Sequence, residues 1–312
     1  MILSGPMRHR LLWWLSAASV ASLALVGVQA QGGPAPAMVW TVSDASGSTA
    51  HLIGSIHVLT PDVYPLPTAM DDAFSASKVL VEEILLDEAE DPAAAMKMLK
   101  KAALPQGMTL QQLVSEAQYA QVNEGAGALG IPMPMVRQLK PWMTAIMLSA
   151  ATLGTAGFDP AQGIDRHFFD RAKAKGMPVR ALESFDFQID RLDGLSMDDQ
   201  VTLLAEMVSE ADVMVRDVRR LVALWRAGDA EGLAAVLRPS MASMPGLEER
   251  LLTERNRDWV PHIERCVRER EGCLVVVGAA HLVGRDSVVS LLQARGLTVR
   301  QHGVAASAPA AP

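Results

Sequence analysis

Two short apolar runs near opposite ends of the chain close in the same way, and they constrain the fold more than anything between them. Leu52-Ile-Gly-Ser-Ile-His57 and Val276-Val-Gly-Ala-Ala-His281 each give aliphatic residues, a glycine, two small or apolar residues and a histidine. Runs of this kind, bounded by turn residues, read as buried strands, and a strand must find a partner for its backbone polar groups. The two copies of G-x-x-H are too far apart in sequence to be local helix chemistry. Either they meet in the fold or they are coincidence.

The intervening sequence is largely helical in pattern. Helices are expected over 92–101, 110–129, 141–153, 165–175, 196–218, 229–237 and 247–270, with Thr109, and Ser196 followed by Asp199, as start signals. A hairpin over 38–42 and 51–53, turning at Ser43-Asp-Ala-Ser-Gly-Ser48, opens the fold. A helix over 68–77 leads to an apolar strand over 78–86, and another strand is expected over 179–182. A strand over 273–278, a helix over 287–295 and a strand over 297–301 close it. Strands at both ends around a helical middle predict an α/β (α+β) fold, with a central mixed sheet built from the N- and C-terminal strands. The 312 residues, half of them hydrophobic, suffice for one such domain, placed at 38–304.

The flanks read differently. Arg8 and Arg10 precede an uncharged run over 11–28 that ends in Val28-Gln29-Ala30, which reads as a signal peptide over 1–30, an uncleaved anchor being the other reading. Residues 31–37 form a Gly/Pro/Ala linker, and 305–312 an Ala/Pro tail expected to be disordered. Without Arg8 and Arg10, 26 basic residues face 35 acidic ones, a charge of about −9 with no basic tract for phosphates. Nucleic acid is therefore not an expected partner, and a periplasmic or secreted location is. Cys266 and Cys273 agree with an oxidising compartment, and a disulfide between them would clamp a helix to the following strand. The uncharged stretch from Pro141 is long enough to span a bilayer, but its Thr, Ser and Gly residues favour a buried helix, so no membrane span is expected in the mature chain.

Ligands in α/β sheets gather beyond the carboxyl ends of strands, where both histidines fall. Gly54 and Gly278 allow a sharp turn or close approach there, and imidazole is the commonest side-chain metal ligand. In Val79-Leu-Val-Glu-Glu-Ile-Leu-Leu86 two carboxylates sit between apolar residues, one facing each side of a strand. Buried, a carboxylate needs a cation or a metal; if the strand ends early, both are solvated. Glu183 follows the strand expected over 179–182 in the same manner, and Arg255-Asn256 lies within the helix expected over 247–270.

The order of these landmarks resembles the TraB/PrgY/GumN family, to which Tiki-type metalloproteases are related. The matching pieces are Trp40, Leu52-Ile-Gly-Ser-Ile-His57, Val79-Leu-Val-Glu-Glu83, Leu139-Lys-Pro-Trp142, Gly163-Ile-Asp165, Leu182-Glu-Ser184 with Gln188, Arg255-Asn256 and Val277-Gly-Ala-Ala-His-Leu-Val-Gly284. The resemblance implies metal ligation by His57, His281 and Glu83, with Glu183, Arg255 and Asn256 completing a catalytic site. It departs from the family at Ser184, where threonine is more usual, and at Glu82, which replaces an apolar residue and leaves the choice between Glu82 and Glu83 open. The implied activity is hydrolysis of extracytoplasmic peptides or proteins by a water activated on manganese, cobalt or zinc, with Glu83 or Glu183 taking its proton and Arg255 stabilising the oxyanion. Two other readings stand beside it: an ester hydrolase of the erythromycin-esterase kind, and a non-catalytic protein binding haem, a metal or a peptide. A haem binder has no need of Glu83, Glu183 and Arg255 at one spot.

Overall fold

A computed structural model of the chain describes residues 35–209, 211–243 and 245–304. The expected signal segment and tail lie outside these residues, as do residues 31–34 of the expected linker. Ala37 already belongs to the fold: it is buried, and its N–H donates to the His302 carbonyl at 3.2 Å.

Both ends of the chain enter one mixed sheet. Strands β1 (Val39–Ser43) and β2 (Thr49–Ser55) form the expected hairpin, with Trp40 opposite Leu52. Asp44 closes its turn by accepting from the Ser46 and Ser48 N–H groups at 2.9 and 3.0 Å. After helix α1 (Thr68–Ala76) comes β3 (Val79–Glu82), and from the helical middle comes β4 (Val179–Ala181). The C-terminal strands are β5 (Cys273–Gly278) and β6 (Thr298–Gln301), and the sheet order is β4-β3-β5-β2-β1-β6. β5 lies between β3 and β2, parallel to both, with Leu52 opposite Val275. A central parallel strand is covered on both faces, which is why Leu274–Val277 is unbroken aliphatic sequence and fully buried. β2, β3, β4 and β5 all run in one direction. Their carboxyl ends therefore share an edge, and His57, Glu83, Glu183 and His281 follow along it.

The middle of the chain follows the expected pattern in outline and differs from it in several places. The strand expected over 78–86 stops at Glu82, and Leu86–Ala89 forms a short helix, α2. The pairing ends because β4 ends: the Glu183 N–H reaches the Glu83 carbonyl at 2.9 Å and the two chains then part. Helices α3 (Pro92–Ala102), α4 (Glu116–Ala128), α5 (Met133–Val136), α6 (Pro141–Thr155) and α7 (Ile164–Lys175) follow. The helix expected over 110–129 is divided, because Thr109 caps a 3-10 turn through Gln112 and Ser115 caps α4 through Gln118. α8 (Phe185–Asp193), capped by Ser184, has no counterpart in the sequence reading.

Helices α9 (Met197–Ser209) and α10 (Ala211–Arg226) cover the one helix expected over 196–218. α11 (Ala230–Ser243) follows, then α12 (Pro245–Glu248), a π-helical turn Glu249–Thr253 and α13 (Glu254–Arg268) over the helix expected at 247–270. α14 (Val288–Ala294) precedes β6. The largest core joins the sheet to α1, α7, α13 and α14 through Phe74, Phe168, Ile263 and Leu292. The first half of α6 is buried, and among the described residues no helix is long and apolar enough to cross a membrane. Cys266, late in α13, and Cys273, opening β5, are joined as a disulfide with Cα atoms 6.3 Å apart.

Candidate active site

The two G-x-x-H histidines meet. His281 sits in a 3-10 turn (Ala279–Leu282) directly after β5, 3% exposed, with the Trp259 ring 4.4 Å away. Its Nδ1 lies 2.6 Å from Asn256 Oδ1, and Asn256 Nδ2 donates to the Asp286 carbonyl at 2.8 Å. That orientation makes Asn256 Oδ1 the acceptor, so Nδ1 carries the proton and Nε2 the lone pair. Burial pushes His281 down to about 3, helped by the charges of Arg255 and His57 and opposed by Glu83. The ring is neutral at ordinary pH.

His57 follows β2 on the opposite side. Its Nδ1 is 3.2 Å from Asp165 Oδ1, and Asp165 is fixed by the Ser55 hydroxyl, which donates to it at 2.8 Å and accepts its N–H at 3.2 Å. Loss of hydration around its inner edge would lower His57, but the charge and hydrogen bond of Asp165, with Glu83, raise it above its ordinary value. Because 59% of the side chain is open to solvent, water screens part of that field. Asp165 is in turn held below its usual value: burial opposes this, and His57 and Ser55 prevail. Gly163 lets the His57 loop lie against the start of α7, since a Cβ there would stand 2.5 Å from the His57 carbonyl oxygen.

Glu83 joins the two imidazoles. The Nε2 atoms of His57 and His281 are each 4.0 Å from Glu83 Oε1, which also accepts the Gly278 N–H at 2.6 Å. Glu83 Oε2 accepts from Arg255 Nη2 at 2.5 Å and from Gln188 Nε2 at 3.1 Å. Burial would raise Glu83, yet the cationic and N–H groups around it hold it below its usual value. With His281 neutral, the groups that hold this charge are His57, Arg255 and the Gly278 amide.

Arg255 is the centre of the buried side of the site. It donates to Glu183 through Nε at 3.0 Å and Nη2 at 2.7 Å, to the Leu251 carbonyl through Nη1 at 2.9 Å, and stands 3.2 Å from His281 Nε2. Glu183, its side chain 5% exposed, also accepts the Trp259 Nε1–H at 2.9 Å. Both Glu183 oxygens are thus committed, and the residue clamps Arg255 instead of facing His57.

Glu82 resolves the pair left open by the sequence. It is 2% exposed and neither oxygen has a hydrogen-bond partner among the described residues. Burial pushes it up to about 9, with Asp165 and Glu83 adding and His57 opposing. Both acids are buried, then, but Glu83 alone is woven into the network. His57, Glu82, Glu83, Asp165 and Gln188, with Ile84, Leu86 and Val276 as apolar walls, surround a cavity of about 190 Å³.

The donor set suits a divalent ion in kind. Each imidazole has its Nδ1 held by a partner, as ligating histidines do, and its Nε2 on the side of an ionised carboxylate, although His281 Nε2 also accepts from Arg255 Nη1 at 3.2 Å. A Cβ at Gly278 would lie 3.2 Å from Glu83 Oε1 and 3.6 Å from His57 Nε2, so glycine keeps the space between the donors open. Similarly, a Cβ at Gly54 would press on Ala279 at 3.1 Å. Spacing is wider than in a loaded site. Among the described residues, only Cys266, Glu271 and Cys273 bring three donor atoms within 4.8 Å of one another, and those sulfurs are already bonded together. Of the two rings His57 is the exposed one and His281 is buried.

His57, Glu83, Glu183, Arg255, Asn256 and His281, the six residues expected from the sequence, lie in one network. Asp165, Gln188, Ser55 and Trp259 join them without having been expected there. Asp165 and Gln188 were among the matched landmarks, but an acid at a helix start already has a capping explanation.

The TraB/PrgY/gumN family model matches residues 38–301. The chain is 26% identical over 244 residues to the uncharacterized protein YbaP of Shigella flexneri, covering 78% of this chain and 88% of that one. YbaP of Escherichia coli (strain K12) is 26% identical over 243 residues, 78% and 87% of the two chains. An uncharacterized protein of Treponema pallidum (strain Nichols) is 20% identical over 273 residues, 83% and 81% of the two. No solved structure matches.

Proposed function

The chain belongs to the TraB/PrgY/gumN family, and from that premise we propose that it is a metal-dependent hydrolase of extracytoplasmic peptides, with His57, His281 and Glu83 as ligands. One observation carries the reading: two imidazole Nε2 atoms, from opposite ends of the chain, stand 4.0 Å from the same buried carboxylate oxygen. A bound manganese, cobalt or zinc ion would supply Lewis acidity there, lowering the pKa of water and polarising a carbonyl.

The chain's own groups have separable tasks. Asp165 and Asn256 fix the ring orientations, and Glu183 with Trp259 holds Arg255 in place. Arg255 presents a guanidinium beside His281 Nε2, where it can stabilise charge developing on a carbonyl oxygen. Glu83, held ionised by Arg255, Gly278 and His57, serves as a ligand better than as a proton acceptor, and the Glu183 oxygens are engaged by Arg255 and Trp259. The Cys266–Cys273 disulfide supports an oxidising, periplasmic or secreted setting. A haem or simple binding role would leave the Arg255, Glu83 and Glu183 cluster without use.

The direct test is turnover of a peptide library, and in parallel of an ester library, by the purified chain. Chelation is expected to abolish peptide cleavage and manganese, cobalt or zinc to restore it. Cleavage of esters alone would move the protein to the esterase class, and chelator-insensitive cleavage would remove the metal from the mechanism.

A further inference from the structure

A carboxyl group without a partner borders the candidate pocket. Glu82 closes β3, its backbone paired with Val276 of β5 and Ala181 of β4. The apolar walls offer it nothing, and the polar side chains that share the cavity are paired elsewhere, His57 Nδ1 with Asp165 and Gln188 with Glu83. Burying a polar group in this state is unfavourable unless something else pairs with it. An aliphatic residue like its neighbours Val79, Leu80 and Val81 would serve the strand better.

We propose that Glu82 is a substrate-binding residue whose carboxyl accepts a hydrogen bond from the backbone N–H of a peptide entering the pocket beside His57 and Glu83. The inference rests on the reading of the ligand as a peptide. A carboxyl oxygen accepts from an N–H whether or not the acid carries its proton, so the contact needs no particular titration state. Both oxygens are covered, and the half-buried Ile84 and Leu86 form the part of the cavity wall that a peptide would have to displace to reach them. A pocket built to satisfy a polar group rejects a ligand that lacks the complementary one more strongly than its size alone would.

The experiment compares a peptide library with the same peptides carrying one ester or N-methyl amide in place of each backbone amide in turn. Binding by calorimetry and turnover are measured for the wild type, Glu82→Gln and Glu82→Leu, with thermal unfolding to confirm that each is folded. The wild type is expected to lose about tenfold in affinity at one replaced position. Glu82→Gln, which keeps an accepting oxygen, retains that discrimination. Glu82→Leu binds the parent peptide about tenfold more weakly and no longer distinguishes it from the replacement. Discrimination by Glu82→Leu equal to that of the wild type, or none by the wild type, overturns the inference, as does absence of binding to any peptide. Glu82-dependent binding without turnover would uphold it and overturn the hydrolase reading; turnover without that discrimination would do the reverse.

Discussion

Glu82 and Glu83 leave the same strand for different surroundings, a guanidinium and two N–H donors for Glu83 and no donor at all for Glu82. Strand alternation said that they face opposite sides but not which side holds the cations, because Arg255 and Gly278 arrive from nearly two hundred residues away. The consequence for Glu82 is measurable. Its folded-state value of about 9 stands above the ordinary 4.5, so between these values the folded chain keeps a proton that the unfolded chain has released. Stability is therefore lost as pH rises from 4.5 toward 9. Glu82→Leu is expected to gain about 3 kcal/mol at pH 7 in urea unfolding, with the gain narrowing toward pH 4.5. A pH-independent difference would contradict the buried, neutral acid. Gly278 gives a second test at this scale. Its φ of −49° is open to any residue, so Gly278→Ala should fold with an unfolding temperature close to the wild type. The added methyl enters the space between Glu83, His281 and His57, and metal affinity, read by calorimetry, should fall about 10–100-fold. Unchanged affinity would place the ion elsewhere.

Elements explain why some of this was readable in the sequence. The hairpin, the buried run of β5 and the helices α1, α3, α6, α7 and α14 follow from apolar spacing and turn residues close by in the chain. The end of β3 was not readable, since it depends on where β4 stops, and α8 was missed where polar and aromatic residues mix in Phe185-Asp-Phe-Gln-Ile-Asp-Arg-Leu-Asp193. That helix matters because it carries Gln188 to Glu83. α13 brings Arg255, Asn256 and Trp259 to one buried face, and the disulfide ties its far end to the start of β5, the strand that leads to His281. A cross-link closing so short a loop contributes about 2 kcal/mol through the unfolded chain. The double variant Cys266→Ser, Cys273→Ser should lose about that much in urea unfolding, while Ile263 and Val267 keep the helix on the sheet and metal affinity stays within a few-fold. A large loss of affinity would mean that the bridge itself sets the site.

At the scale of the whole molecule, one sheet edge collects side chains from both ends and the middle of the chain. The G-x-x-H pair was legible because each histidine directly follows a strand, and parallel pairing of β2 with β5 aligns the two ends. Glu183 was placed near the site by the same rule, but its commitment to Arg255 and Trp259 was not, since those partners come from α13. Asp165 was hidden by its place at the start of α7, where an acid needs no further reason. What the sequence could least express is spacing. His281 is buried against Asn256 and Trp259, while His57 is exposed and paired with Asp165, so the proposed ion would have to bring the two rings closer than they stand here. The measurement that reads this arrangement most directly is bound metal per chain, by mass spectrometry after reconstitution with manganese, cobalt or zinc, for the wild type, His57→Ala and His281→Ala. One ion per wild-type chain, with little or none in either variant, is the predicted result; equal metal in all three, or none in any, would contradict a centre shared by the two histidines.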